Sequence, residues 1–111
     1  MRDERKLLDV AHRVIIQRMI ESFADNDTER IFRREIVKRF PQDLQRTALR
    51  KLLLLDAAES LQDLRVPPAN RLEKLRGDRR GQHSIRVNDQ RRICFRWVGN
   101  NARDVELVDY H

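Results

Sequence analysis

The sequence is poor in cysteine, glycine and aromatic residues, and each shortage excludes a class of protein. Its one cysteine, Cys94, cannot close a disulfide within the chain, so nothing points to an oxidising compartment. The three glycines form neither a phosphate-binding P-loop nor a glycine-rich dinucleotide loop. Aromatic residues make up only 5% of the chain, so a core must consist mainly of Leu, Ile and Val.

Long apolar runs and metal-binding clusters are also missing. No run approaches the roughly 20 apolar residues that a membrane span needs. The first 18 residues mix both charge signs through their apolar positions, unlike a signal peptide. No Cys/His cluster has the spacing of zinc ligands. We therefore expect a cytoplasmic protein that is neither secreted nor inserted in a membrane.

The length of 111 residues, of which 40% are hydrophobic, fits one domain with a thin core. We expect this domain to occupy residues 19–111, with residues 1–18 as an N-terminal extension. Residues 3–17 of the extension are predicted to be helical, because Leu7, Val10 and Val14 form an apolar stripe that Leu8, Ala11 and Ile15 widen. Met19 is itself a candidate translation start.

The positive charge is concentrated in one segment. The chain has 24 Lys and Arg against 18 Asp and Glu, a net charge of +6. Residues 71–97 alone contain nine basic and three acidic residues, an excess of six. Arg predominates among them, and its planar fork of donors suits phosphate, so a polyanion is the expected partner. The alternative is a solvated basic face that keeps the protein soluble. The nine are Arg71, Lys74, Arg76, Arg79, Arg80, Arg86, Arg91, Arg92 and Arg96.

Apolar spacing predicts an α+β fold in which two helices cover a small antiparallel sheet. Residues 19–23 alternate like a half-buried strand. Asn26 and Glu29 resemble a capping box, which predicts a first helix from Asn26 to Phe40, ended by Pro41. Asp43 is expected to cap a second helix. Strand-like periodicity then follows the Pro67-Pro68 pair. The apolar face predicted for the second helix contains Leu44, Ala48, Leu52 and Leu55, widened by Leu49, Leu53, Leu54 and Ala57.

The register of one hairpin follows from residue parity. A three-residue loop at positions 88–90 pairs Ile85 with Ile93 and His83 with Phe95, which keeps the apolar side chains on one face. A register slip by one residue would move every side chain to the wrong side. His83 is therefore expected to be a packed histidine, and Ser84, Arg86, Arg92, Cys94 and Arg96 to share the opposite face.

The same register places Arg86 directly across from Arg92. Like charges at such a position are destabilising, and a bound phosphate would convert the cost into charge-assisted hydrogen bonds. We therefore predict an anion site on this face. The alternative is that Asp78, Asp89 or Glu73 satisfies the two arginines within the protein.

The chain ends in three ionisable or hydrogen-bonding side chains, Asp109, Tyr110 and His111. Either they contribute to a site, or they are a frayed polar tail.

With these residues in view, the sequence resembles the HigB branch of the RelE/ParE superfamily of toxin–antitoxin toxins. The resemblance covers residues 19–111 and depends on MIESFADNDTERIF, PPANRLEKLRGDRRGQHSIRVNDQRRICFRW and the terminal VELVDYH. It implies a RelE-like, microbial-ribonuclease-like fold with two N-terminal helices on one face of the sheet and RNA on the other. It also implies cleavage of mRNA in the ribosomal A site, with no cofactor, and inhibition by a HigA-like antitoxin of helix-turn-helix type.

The resemblance also implies roles for individual residues. The chemistry requires a proton acceptor for the ribose 2′-hydroxyl, cations for the charge on phosphorus and an acid for the leaving 5′-oxygen. The resemblance assigns catalysis to Asp109, Tyr110 and His111, and it makes Arg92 and Arg76 the residues that hold the phosphate. The further residues expected to contact RNA or the ribosome are Arg71, Lys74, Arg79, Arg80, Arg86 and Arg96.

Two positions depart from the family pattern. Glu73 replaces a histidine that the well-studied nucleases carry, and Arg91 replaces a usual tryptophan. Glu73 can act as a base, but as an anion it also opposes phosphate binding. The two departures therefore predict either slow cleavage or a different residue as the base.

Two other functions compete with mRNA cleavage. One is a toxin of the same fold that binds a protein target such as gyrase, without nuclease chemistry. The other is a non-enzymatic nucleic-acid-binding module, whose binding would weaken steeply with salt.

Overall fold

The computed structural model describes residues 20–109, so the predicted extension at residues 1–18, together with Tyr110 and His111, lies outside the described residues. In residues 20–109, two α-helices precede a four-stranded antiparallel sheet whose strands follow one another in chain order. Short 3-10 helices span Leu61–Arg65, Pro68–Asn70 and Gly77–Arg79. The helices are α1 (Asn26–Phe32) and α2 (Gln42–Ala57), and the strands are β1 (Glu73–Lys74), β2 (His83–Arg86), β3 (Arg91–Val98) and β4 (Asn101–Asp109).

Helix α1 is shorter than its apolar spacing predicts. Its N-cap is Asp25 and not Asn26, because the Asp25 carboxylate accepts from the backbone N–H of Thr28 at 3.1 Å. The prediction that it runs to Phe40 is wrong: it ends at Phe32, and Arg34 adopts a left-handed conformation with φ 65°. The chain then folds back, so residues 33–40 form turns beside α2.

The Gln45 side chain binds the backbone of this turn segment at three points. Gln45 of α2 accepts from the backbone N–H of Val37 and donates to the carbonyls of Val37 and Phe40, each at 2.9 Å. Val37 and Phe40 are thereby buried without being helical. The 3.6-residue spacing therefore predicts the burial of Val37 and Phe40 correctly but predicts the wrong secondary structure for them.

Helix α2 follows its predicted pattern closely. It begins one residue before Asp43, with Pro41 at the N-cap position, so Asp43 lies in the first turn and is not the cap. Its predicted inner face is confirmed, because Leu44, Ala48, Leu52 and Leu55 are all buried. They share one hydrophobic core with α1 and with residues of β2, β3 and β4. No helix in residues 20–109 is long and apolar enough to cross a bilayer.

The predicted hairpin register is confirmed. Strands β2 and β3 pair Ile85 with Ile93, His83 with Phe95 and Arg86 with Arg92. The Asn88 side-chain oxygen accepts from the backbone N–H groups of Gln90 and Arg91, which closes the three-residue loop.

The free edge of β4 is covered by the segment that precedes α1. Residues 19–23 are predicted to form a strand; the described part, residues 20–23, makes only two isolated parallel bridges, Ile20 with Ala102 and Phe23 with Val105. Further along β4, the Thr28 hydroxyl accepts from the backbone N–H of Leu107 at 2.9 Å. These contacts leave less exposed strand edge for pairing with other chains.

Candidate nucleic-acid interface

The outer face of the sheet, opposite the helices, presents one continuous row of polar side chains. The register aligns Glu73, Ser84, Cys94 and Glu106 across all four strands. Ser84 and Cys94 are fully buried, and burial raises the pKa of the Cys94 thiol. Arg79 lies in the 3-10 helix Gly77–Arg79, and its Nη1 is 3.3 Å from Oε1 of Glu106. The segment after β1 therefore packs over this row.

Arg92 is the most constrained cation on the outer face. Its Nε donates to the Ser84 hydroxyl at 2.7 Å, and its Nη2 donates to the Arg71 carbonyl at 2.5 Å. The Glu73 carboxylate lies 3.8 Å from Nη2, and only 10% of the Arg92 side chain is exposed. The guanidinium is therefore held in a fixed orientation by β2 and by residues 71–73.

The facing pair of arginines does not by itself mark an anion site. Arg86 and Arg92 stand opposite one another as predicted, yet each has an acidic neighbour. Asp89 lies 2.5 Å from Arg86, and Glu73 lies 3.8 Å from Arg92. The alternative, in which acidic residues of the protein itself balance the charges of the two arginines, therefore describes this pair.

Two residues that sequence reasoning missed support the site from below. Lys51 of α2 is buried and donates to the Asn70 side-chain oxygen at 2.6 Å. Asn70 in turn donates to the carbonyls of Leu64 and Val66, which fixes the chain just before Arg71. Burial lowers the pKa of Lys51, and the nearby Arg50 and Arg86 lower it further. The sequence feature that could have identified Lys51 is its position on the otherwise apolar face of α2.

The exposed cations gather in residues 71–80, which we call the cationic segment. Lys74, Arg76 and Arg80, with Leu75 and Gly77, line an open cavity of about 460 Å³. Gly77 has φ 63°, a conformation that turns the chain sharply between these side chains. Within residues 20–109, none of the exposed cations of this segment forms an ion pair with a carboxylate; they are Arg71, Lys74, Arg76 and Arg80.

The other predicted RNA-contacting arginines are already ion-paired. Arg79 pairs with Glu106, Arg86 with Asp89, and Arg96 with Asp104 at 3.5 Å. These three differ from the exposed cations of the cationic segment, because a phosphate would have to compete with a carboxylate for them.

Asp109 lies on the other side of the sheet from Arg92. It pairs across the strands with Arg91, and their side chains approach to 4.0 Å. Arg91 also stacks over the Phe40 ring at 5.1 Å, on the helix side, as the register predicts. The structure therefore does not place the Asp109 carboxylate beside Arg92 or Glu73. The sequence alone predicts this placement, because residues 105, 107 and 109 of a strand point to the same face and Val105 and Leu107 are apolar.

His83 is a packed histidine, as predicted. Its ring stacks on Phe95 with a centroid distance of 6.2 Å, and Nδ1 is buried with no hydrogen-bond partner in the described part of the chain. Burial lowers the pKa of His83, and the nearby Lys74 lowers it further. Lys74 pairs with His83 across β1 and β2, so it lies at the edge of the helix side. Between Ile20 and Asp109, no group of three His, Cys, Asp or Glu side chains is arranged to hold a metal ion.

Comparison with known proteins places this geometry in a family. Toxin HigB-1 of Vibrio cholerae is 46% identical over 67 residues, which cover 60% of this chain and 70% of that protein. Endoribonuclease HigB of Proteus vulgaris is 32% identical over 94 residues, 84% of this chain and the full length of that protein. A chain of the YoeB–YefM complex from Staphylococcus aureus superposes with a TM-score of 0.48 at 16% identity, covering 83% of this chain and 97% of that one. The family model for the RelE-like toxin HigB of type II toxin–antitoxin systems matches residues 21–111. The chain belongs to the HigB-like family of RelE-like toxins of type II toxin–antitoxin systems.

Proposed function

We propose that the protein is an endoribonuclease toxin that cuts mRNA in the ribosomal A site and so inhibits translation in the cytoplasm. The family and a full-length relative named as an endoribonuclease support the nuclease activity. The antitoxin that inhibits it is proposed to be a HigA-like protein of helix-turn-helix type, which would be this toxin's only link to DNA.

One observation favours RNA as the ligand: the exposed cations of the cationic segment lack carboxylate partners in the described chain, while the half-buried Arg79 and the strand residues Arg86 and Arg96 have them. An unpaired arginine can bind a phosphate without first breaking an internal ion pair, so it contributes more net binding energy. Arg71, Arg76 and Arg80 are the residues that we expect to contact the RNA backbone first.

The proposed reaction is attack of a ribose 2′-oxygen on its own phosphate, with departure of the 5′-oxygen. Arg76, exposed beside the cavity, stabilises the charge that develops on phosphorus. Arg92 contributes the charge of a guanidinium already oriented by Ser84 and Arg71, so little reorganisation is needed. His111 serves as the base that takes the 2′-hydroxyl proton or as the acid that protonates the leaving 5′-oxygen, because imidazole transfers protons readily near neutral pH, and Tyr110 orients the reacting groups or exchanges the other proton.

The position of Asp109 changes its proposed part in this reaction. Its carboxylate faces Arg91 on the helix side, so it acts as a positioning residue for Tyr110 and His111 and is not the proton acceptor. Glu73 lies on the outer face near Arg92, where its negative charge weakens phosphate binding. Slow cleavage is the expected consequence.

The decisive experiment adds the antitoxin-free protein to a programmed ribosome and maps new mRNA 5′ ends by primer extension. A deletion of His111 and a reaction with naked mRNA serve as controls. We expect new ends at the A-site codon only when ribosomes are present, and none with the His111 deletion.

Other outcomes lead to the competing functions. An intact message together with inhibition of DNA supercoiling would identify a protein target such as gyrase. An intact message with salt-sensitive RNA binding would leave a nucleic-acid-binding module.

A further inference from the structure

Arg92 takes part of its orientation from a residue in an uncommon backbone conformation. Its Nη2 donates to the carbonyl of Arg71, and Arg71 has φ 45° and ψ 59°, which is left-handed. A residue other than glycine keeps this conformation only where its surroundings impose it. On one side of Arg71, Leu72 packs against the hydrophobic core. The contacts that hold Arg71 therefore also determine where the Arg92 guanidinium points.

On the other side of Arg71, the anchor is Asn70, which is fully buried. Its side-chain amide donates to the carbonyls of Leu64 and Val66 at 3.1 and 3.3 Å. Its side-chain oxygen accepts from Nζ of Lys51 at 2.6 Å. This last hydrogen bond connects the left-handed turn to the middle of α2, which is the longest helix of the described chain.

Lys51 occupies a position where an apolar side chain would be buried at lower cost. It lies beside the fully buried Leu52 and is itself only 8% exposed. Within residues 20–109 it forms no ion pair, and the charges of Arg50 and Arg86 oppose its own. Burial of a charge without an ionic partner costs free energy. The hydrogen bond to Asn70 is therefore what this lysine contributes and an apolar residue could not.

We propose that Lys51 is a positioning residue for mRNA cleavage, because its hydrogen bond to Asn70 fixes the turn at Arg71 and so aims the Arg92 guanidinium. The inference rests on the proposed nuclease activity. It adds to that activity a residue of α2 that contacts neither the RNA nor the reacting atoms.

The first test is Lys51→Met, which removes the donor and keeps an unbranched side chain that suits the buried side of α2. The kcat for ribosome-bound mRNA should fall by about 10–100-fold, because a displacement of about 1 Å can cost that much. The KM should change by less than about twofold, because Arg76 and Arg80 lie outside these contacts and still bind the RNA. Primer extension on programmed ribosomes measures both constants.

Nitrogen-15 NMR of the antitoxin-free chain reports on Arg92 directly. The Nε–H of Arg92 donates to the buried Ser84 hydroxyl, so it should exchange slowly with water. In Lys51→Met this exchange should become about tenfold faster, because the guanidinium has lost its fixed partner at Arg71. The measurement requires no cleavage, so it tests the hold of Lys51 on Arg92 even if the parent chain leaves the message intact and the proposed function fails.

Two further variants separate positioning from general stability. Leu44→Ala leaves a cavity on the same buried side of α2, about two turns before Lys51, and should keep the parent kcat and the slow Arg92 exchange. Lys51→Gln keeps an N–H donor on a shorter side chain. It should lie between the parent and Lys51→Met in both measurements. Urea denaturation checks that each variant is folded.

Four results would overturn the proposal. Unchanged exchange in Lys51→Met would mean that the turn holds Arg71 without Lys51. Faster exchange with an unchanged kcat would mean that cleavage does not depend on the orientation of Arg92. Equal losses in Leu44→Ala would mean that any loosening of α2 disturbs the site. A greater loss in Lys51→Gln than in Lys51→Met would mean that the donor is not the cause.

Discussion

The helical and the cationic parts of the molecule use arginine in different ways. In and around α1, Arg33 pairs with Glu29 at 2.8 Å and Arg39 with Asp27 at 2.7 Å. In the cationic segment, Arg76 and Arg80 are exposed and form no ion pair within residues 20–109. Among the described residues, three of the four arginines in residues 26–40 have a carboxylate within reach, Arg34 being the exception. In residues 71–80, by contrast, one of the four arginines, Arg79, has such a partner. Pairing, more than charge density, therefore separates a solvated surface from a candidate phosphate site.

The strongest test of this difference is Arg76→Ala. Loss of one cation that stabilises developing charge should reduce cleavage of ribosome-bound mRNA by about 10²–10³-fold. The free energy of unfolding should stay within about 0.5 kcal/mol, because Arg76 is exposed and its side chain makes no hydrogen bond or ion pair within residues 20–109. Primer extension and urea denaturation measure the two quantities.

The matched control is Arg33→Ala, an exposed arginine of the helical region. It should cleave at the parent rate. Equal loss of cleavage in both variants would show that total charge, and not the unpaired cations, determines RNA binding.

Arg92→Ala should instead reduce stability and cleavage together. The substitution leaves the buried Ser84 hydroxyl and the Arg71 carbonyl without their donor, at a cost of about 2–3 kcal/mol. Urea denaturation of the antitoxin-free chain measures the change. An unchanged unfolding midpoint would mean that Arg92 acts on the substrate alone.

The period-two pattern of the hairpin was predictable because it depends on neighbouring residues only. Parity placed Ile85 opposite Ile93 and Arg86 opposite Arg92, because a slip by one residue would move the apolar side chains to opposite faces. The inner face of α2 was predictable for the same reason.

Contacts between distant segments were not predictable from spacing. Helix α1 ends early because Gln45 captures the backbone of Val37 and Phe40 from another helix. The bond from Lys51 to Asn70 joins residues 19 apart, and it fixes the segment whose carbonyl holds Arg92. The sequence offers Asp78, Asp89 and Glu73 as candidate partners of Arg86 and Arg92. Only the fold shows that Asp89 pairs with Arg86 and Glu73 with Arg92.

The stability of the fold at low pH should depend on His83, which is partly buried and lies near Lys74. Burial, assisted by Lys74, holds the pKa of His83 below its ordinary value of 6.5, so the folded protein resists protonation that the unfolded chain accepts. Stability should therefore fall as the pH drops below 6.5, by less than the loss expected for Arg92→Ala. His83→Phe, which keeps the stacking on Phe95, should flatten this part of the profile in urea denaturation.

Lys74→Gln separates the two causes of that shift. Removing the cation should raise the pKa of His83 only part of the way, because burial is the larger cause. The acid slope should become shallower without vanishing. A slope as flat as that of His83→Phe would mean that Lys74 is the main cause.

The smallest expected effect is the stability change of Arg33→Ala. Its partner Glu29 lies four residues earlier, in the favourable orientation for a helix, but 60% of the Arg33 side chain is exposed to solvent. The pair should contribute about 0.3–0.5 kcal/mol, and most of this should disappear in 1 M salt, where the screening length falls to about 3 Å. Urea denaturation at low and high salt measures it against Arg76→Ala, which should show no salt-dependent loss because it removes no ion pair within residues 20–109. Equal salt dependence in the two variants would mean that Arg76 has a carboxylate partner in solution, and the contrast between paired and unpaired arginines would then fail at the residue on which the proposed chemistry most depends.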